Sequence, residues 1–197
     1  MGIEIEAKMR VSDVAALEAR LESAGAKRGR TILELNRFFD TPQGSLKASD
    51  RGLRLRIERE LNGPYQSVTI THKGPRDPGR LKCRPETELA VRNGDDRAAA
   101  ELLTAMGYEC GLSFEKRRTQ WLLGDCRVDV DRVPYLGDFV EIEGPTDDAV
   151  LAVRHKLGLD QTPLVRDSYI AMLSTYLVEN HIRADHIRLD PDKLTNP

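Results

Sequence analysis

Apolar and charged residues alternate with a period of two in one segment of this chain after another. In the first segment Ile3, Ile5, Ala7 and Met9 fall on one face and Glu4, Glu6, Lys8 and Arg10 on the other, the pattern of a half-buried strand. In residues 53–59 Leu53, Leu55 and Ile57 oppose Arg54, Arg56 and Glu58. A helix through Leu53, Ile57 and Leu61 is the competing reading there. In 65–73 Val68 and Ile70 oppose Thr69, Thr71 and Lys73, and in 80–89 Lys82, Arg84, Glu86 and Glu88 line one side. Further strands are expected at 28–40, 114–121, 126–133 and 139–144. Pro85 is a difficulty, since proline belongs at a sheet edge or a bulge. Helical spacing predicts four helices, the first an amphipathic cover helix. The first carries Val14, Leu17, Leu21 and Ala24, is capped by Ser12 or Asp13 and stops at Gly25. The others fall at 95–106, 147–157 and 167–177. Periodicity weakens after Val178, so residues 179–197 read as a tail, loose or packed, following a domain of residues 1–178.

Composition narrows the class. A chain of 197 residues with 40% hydrophobic and 31% charged content fits one charge-rich domain. A net charge of −2 exerts no global pull on DNA or anionic membranes. Cys83, Cys110 and Cys126 form no Cys-x-x-Cys pair, which argues against zinc and a disulfide scaffold. No secretory leader is visible, and no apolar run approaches the ~20 residues that span a bilayer. The expected setting is cytoplasmic, without membrane partners, as a monomer or homodimer. None of His72, His155, His181 and His186 is expected to bind metal.

Repetition of charged faces is the informative feature. A solvent-facing sheet does not require it, whereas a closed antiparallel barrel with a polar lumen does: apolar outer faces lie under helices and charged inner faces line a cavity. Buried charges must pair or meet a ligand. A lumen of both signs suits a polyanion with its metal ions. Arginine and lysine would bind phosphate oxygens, and glutamates would hold Mg²⁺ or Mn²⁺.

Glu4-Ile5-Glu6-Ala7-Lys8 resembles the Glu-x-Glu-x-Lys signature of the CYTH superfamily, the triphosphate tunnel metalloenzymes. Later matches are Phe39-Asp40-Thr41-Pro42, Leu53-Arg54-Leu55-Arg56, Thr71-His72-Lys73-Gly74-Pro75, the Lys82/Arg84/Glu86/Glu88 ladder, Glu115-Lys116-x-Arg118, Val130-Asp131 and the run 136–143. Arg166-x-Ser168-Tyr169 is similar to the class IV adenylate cyclase branch. The resemblance spans roughly residues 1–178. It implies an α+β fold, an eight-stranded antiparallel β-barrel with peripheral helices, and divalent-metal chemistry on a triphosphate. By matching position, Glu4, Glu6, Glu141 and Glu143 are implied metal ligands, assisted by Glu86, Glu88 and Asp131. Lys8, Arg54, Arg56, Lys73, Arg84, Lys116 and Arg118 would bind the triphosphate, and Lys8, Lys73, Glu88 and Asp131 would serve catalysis. Arg118 and Glu86 are equally readable as an internal ion pair. Glu58, Arg127 and Asp129 share the inward parity but are expected at the mouth, and Asp40 and Thr41 are expected to shape a turn.

Two reactions suit such a site. Water attacking the terminal phosphorus hydrolyses a triphosphate such as ATP, thiamine triphosphate or inorganic tripolyphosphate. A ribose hydroxyl attacking the α-phosphorus instead makes cyclic AMP and pyrophosphate. The Glu141/Glu143 pair, also found in triphosphatase members of the family, favours hydrolysis, with cyclase as the alternative. A non-catalytic polyphosphate- or RNA-end-binding module would keep the arginines without needing the glutamates.

Overall fold

The computed structural model describes residues 2–79 and 81–190. In chain order the elements are β1 (Gly2–Val11), α1 (Val14–Ser23), β2 (Lys27–Asp40), α2 (Ser45–Ala48), β3 (Gly52–Glu60), β4 (Gln66–Lys73) and β5 (Lys82–Val91). They continue with α3 (Asp96–Ala105), β6 (Glu109–Leu123), β7 (Cys126–Val133), β8 (Gly137–Glu143), α4 (Asp147–Lys156), α5 (Tyr169–Glu179) and β9 (His186–Ile187). All eight expected strands are present. Residues 53–59 lie in strand β3, so the helical alternative does not hold.

Strands β2-β3-β4-β5-β1-β8-β7-β6 are neighbours in that order, and β2 pairs with β6 to close an eight-stranded antiparallel barrel. Closure removes both sheet edges. Pro85 sits inside this barrel without breaking it. Its carbonyl accepts the Gly74 N–H just past the end of β4, the side on which its own missing N–H would have pointed. The reciprocal bond that a Pro85 N–H would have made to the Gly74 carbonyl is replaced by the Arg84 guanidinium, which donates to that carbonyl.

Apolar faces point outward and are covered over most of the barrel, while Ile3 and Leu89 at strand ends stay exposed. Leu17 and Leu21 of α1 and Val150 of α4 pack on Ala7, Met9, Val128, Val140 and Ile142. Ala99, Ala100 and Leu103 of α3 pack on Leu53, Leu55, Ile57 and Val68. Asp13, Thr146 and Ser168 cap α1, α4 and α5 through their side-chain oxygens. Asp40 accepts the N–H groups of Thr41, Leu46 and Lys47, fixing the turn into α2.

Helix α5 behaves differently from a cover helix. Tyr169, Leu173 and Leu177 pack on Phe114, Val133 and Phe139, which share strand parity with Lys116, Asp131 and Glu141. The inward faces thus change from charged to apolar at one end of the barrel, and α5 caps that end. The segment after Val178 is packed: β9 runs parallel to β6, with Ser113 opposite His186. Ile187 and Leu189 are buried, and Glu115 accepts the Leu189 N–H. The last part of the expected tail, residues 191–197, lies outside the described residues, as does Arg80 at the start of the fifth expected strand. Among the described residues no helix is long and apolar enough to cross a membrane.

Candidate active site: a charged tunnel

The barrel encloses a cavity of about 1130 Å³. Every predicted site residue except Asp131 lines it, and Asp131 lies directly behind its wall. Strand register explains the convergence. In β1, Glu6 stands opposite Lys82 of β5 on one side and Glu143 of β8 on the other. Lys8 stands opposite Glu141, and Lys73 of β4 opposite Glu86 of β5.

Two ion clusters form the walls. In the first, Lys73 Nζ lies 2.7 Å from Glu4 and 3.3 Å from Glu86, and Lys82 Nζ lies 2.5 Å from Glu6. Burial opposes ionisation of Glu4, yet Lys73 and Lys82 hold its carboxyl below the usual value. The second cluster is buried apart from Glu141, which is partly open to the cavity. Asp131 accepts Lys116 Nζ, Arg118 Nε and Nη2, and the Tyr169 hydroxyl, all at 2.7–2.9 Å. Arg118 also meets Asp129 at 2.7 Å and Glu141 at 2.5 Å. Against the penalty of burial, Lys8, Lys116 and Arg118 hold Glu141 well below the usual carboxylate range. Lys8 bridges Glu141 at 3.2 Å and the Asp167 carbonyl at 3.1 Å, over the Tyr169 ring.

Several residues stand where the sequence reading did not place them. Arg118 and Glu86 make no pair: Arg118 is taken by Glu34, Asp129, Asp131 and Glu141, and Glu86 by Lys73. Asp129 is buried within the second cluster rather than at the mouth, because β7 carries it one inward step from Asp131. Both oxygens of Asp131 are occupied by donors, so it anchors Lys116 and Arg118. Arg84 is turned to the Gly74 and Asp50 carbonyls and clips the β4–β5 loop to the α2 corner. Glu88 is exposed at the far end of β5, where it accepts from Thr71.

Glu34, Asn36, Lys82 and Tyr169 belong to the site and escaped selection. Lys82 shares the parity of its selected neighbours. Glu34 and Asn36 alternate as an inward pair, but Ile32 and Phe38 on the same face mask the signal.

Among the described residues five buried side-chain atoms lack a hydrogen-bond partner, Glu34 Oε1, Asp129 Oδ1 and Trp121 Nε1 among them, and the other two belong to residues that line the cavity. Arg54 Nε and Glu4 Oε2 are buried without a hydrogen-bond partner, although both side chains line the cavity. Among the described residues Arg54 donates to Thr71 alone, and burial and the neighbouring Arg56 push its guanidinium down to about 10. Local negative charge is short on that side. On the other side positive charge is short: burial and then the carboxylates of Glu4, Glu6 and Asp129 push Glu143 up, against the pull of Arg127. Directly opposed like charges destabilise a sheet, so the Glu6–Glu143 pair and the orphaned Glu4 oxygen fit an added cation. Among the described residues, no three acid, histidine or cysteine side chains are gathered as a metal-binding set. Each of these glutamates is instead held by lysine or arginine.

The CYTH domain profile matches residues 2–169. The adenylate cyclase CyaB of Aeromonas hydrophila is 30% identical over 190 residues, covering 90% of this chain and 92% of that protein. The PH1819 protein of Pyrococcus horikoshii superposes with a TM-score of 0.76 at 25% identity, over 88% of this chain and 99% of that one. HpAC1 of Hippeastrum, named an adenylyl cyclase and described as having a dominant triphosphatase activity, superposes with a TM-score of 0.67. It is 18% identical, over 98% of this chain and 100% of its own.

Proposed function

The chain belongs to the CYTH domain family, and from that premise we propose that it hydrolyses a triphosphate inside the tunnel with the help of Mg²⁺ or Mn²⁺. The observation that carries the reading is the pair of orphans. A buried guanidinium N–H and a buried carboxylate oxygen lack partners within one cavity. A buried polar atom without a partner costs about 1–3 kcal/mol. A phosphate oxygen on Arg54 and a metal ion on Glu4 would relieve both.

Glu4, Glu6, Glu141 and Glu143 would hold the metal, with Glu86 near enough to assist. The metal would polarise a phosphoryl oxygen and lower the pKa of a bound water. Arg54 and Arg56 of β3, Lys73 of β4, Lys8 of β1 and Lys116 and Arg118 of β6 would take the phosphate oxygens. Phosphoryl transfer demands little covalent chemistry from the protein, so placing fixed cations around the transferred group is its main contribution. Ion pairs hold Lys8, Arg56, Lys73, Lys116 and Arg118 in place, and Arg54 is left to meet a phosphate oxygen. Arg84 and Asp131 serve this reading as anchors rather than as contacts.

The cyclase reading rests on the Aeromonas hydrophila relative, named an adenylate cyclase; the hydrolytic reading is in keeping with the triphosphatase described for the Hippeastrum protein. The two separate in one assay. Purified protein with Mg²⁺ or Mn²⁺ is given ATP, thiamine triphosphate and tripolyphosphate in turn, and products are resolved by phosphorus NMR. Orthophosphate is the expected product. Cyclic AMP with pyrophosphate from ATP overturns hydrolysis in favour of cyclisation. No product from any of the three, with metal present, removes both.

A further inference from the structure

Glu34, like Asp129 and Asp131, is a carboxylate that neither the metal nor the phosphate needs. It is fully buried at the centre of β2, the strand that closes the barrel between β3 and β6. Its side chain lies 3.0 Å from Arg56 of β3, 3.4 Å from Lys116 and 3.3 Å from Arg118 of β6. Asn36, one inward step along β2, accepts Arg56 Nε at 2.9 Å and donates to Glu34. Against the penalty of burial, Arg118, Arg56 and Lys116 hold the Glu34 carboxyl far below the usual range, so it is an anion at any physiological pH.

Each of these cations has another possible place to go. Lys116 and Arg118 are drawn to Asp131, Asp129 and Glu141 on β7 and β8. Arg56 is drawn to Glu58, 3.8 Å away toward the β4 side. Among the described residues Glu34 is the single acid that touches all three, and it pulls them together across the β2 seam. Without it, like-charge repulsion and the remaining acids would draw the β6 cations and Arg56 apart. A phosphate bridging β3 and β6 would then meet one group or the other.

We propose that Glu34, supported by Asn36, is a positioning residue for catalysis: it sets the separation of Arg56, Lys116 and Arg118 so that one phosphoryl group is clamped from both sides of the β2 seam. The proposal rests on the triphosphate reading above. It adds that a residue outside the substrate and metal shells controls the rate through the placement of the clamp.

A double-mutant cycle tests it. Wild type, Glu34→Gln, Arg56→Gln and the double variant are assayed with Mg²⁺ and tripolyphosphate, with folded fraction normalised by circular dichroism. Glu34→Gln removes a negative charge beside the phosphate, so KM should stay level or fall. Misplacement of the clamp should lower kcat about 10- to 100-fold, the scale of an ångström-sized displacement. In the Arg56→Gln background most of that loss should vanish, because one jaw is already missing. A purely structural role would lower the melting temperature and multiply through both backgrounds alike. Equal loss in both backgrounds, or an unchanged kcat in Glu34→Gln, overturns the proposal. If Glu34→Gln fails to fold, Asn36→Ala enters the same cycle and is read by the same criteria. Tripolyphosphate binding by calorimetry in EDTA runs beside the kinetics. A wild-type protein that, with metal present, cleaves none of tripolyphosphate, ATP and thiamine triphosphate defeats the tunnel reading and this proposal with it. An active wild type with additive variants defeats the positioning role alone.

Discussion

At the scale of single residues, the tunnel sets ligand affinity against stability. Arg54 has a buried, unpartnered Nε and, among the described residues, a threonine hydroxyl as its one acceptor. Replacing a poorly compensated buried charge by an apolar side chain of similar length is often neutral or stabilising. Arg54→Met is therefore expected to raise the melting temperature by a few degrees, about 2–4 °C per kcal/mol for a chain of this size. Its KM for a triphosphate should rise at least about tenfold. A variant that melts lower and retains its KM contradicts the assignment. The paired substitution Glu4→Gln with Glu6→Gln acts on the opposite charge. Turnover should fall at least about 100-fold, since a bound metal supplies several kcal/mol of transition-state stabilisation, while circular dichroism reports a folded barrel. Full activity in that variant would exclude Glu4 and Glu6 as metal ligands. The alternation in β1 made these two acids legible. Glu34 and Asp129 were less so, because parity says that a side chain points inward but not how deep it lies or which cation it meets.

At the scale of elements, periodicity found the strands and the main helices, and tertiary context decided what each helix does. Spacing in α5 marks an amphipathic helix, but its apolar face meets the inner side of the barrel at Phe114, Val133 and Phe139. Those three residues follow the strand pattern of their charged neighbours, and only the closed barrel reveals that they lie at one end. The two-residue strand β9 is too short to carry a period. Its place follows from Ser113, which bonds the Asp185 carbonyl and the His186 ring, and from the burial of Ile187. Truncating a buried isoleucine to alanine typically costs about 2–5 kcal/mol. Ile187→Ala should lower the denaturation midpoint accordingly, whereas a loose tail would leave the midpoint unmoved.

At the scale of the whole molecule, the tunnel is a barrel that closes around unsatisfied charge. A polyanion with its metal should bind the folded state and not the unfolded chain, and so raise stability by linkage. At 100 times the dissociation constant the gain is about 2.7 kcal/mol, roughly 5–11 °C in melting temperature here. Mg²⁺ with tripolyphosphate should produce that shift, EDTA should remove most of it together with turnover, and excess Mg²⁺ should restore both. Turnover undiminished by EDTA would refute a metal requirement.

The amino-acid sequence by itself determined the strands, their inward and outward faces and the presence of two charge signs along the inward ones, because a period of two is a local property of the chain. It also carried the Glu-x-Glu-x-Lys signature by which the family can be recognised. Only the tertiary structure decided which charges meet. Register placed Glu6 between Lys82 and Glu143, closure of β2 on β6 brought Glu34 among three cations, and burial left Arg54 and Glu4 each short of a partner. Those are contacts between residues tens of positions apart, and no local pattern encodes their distances.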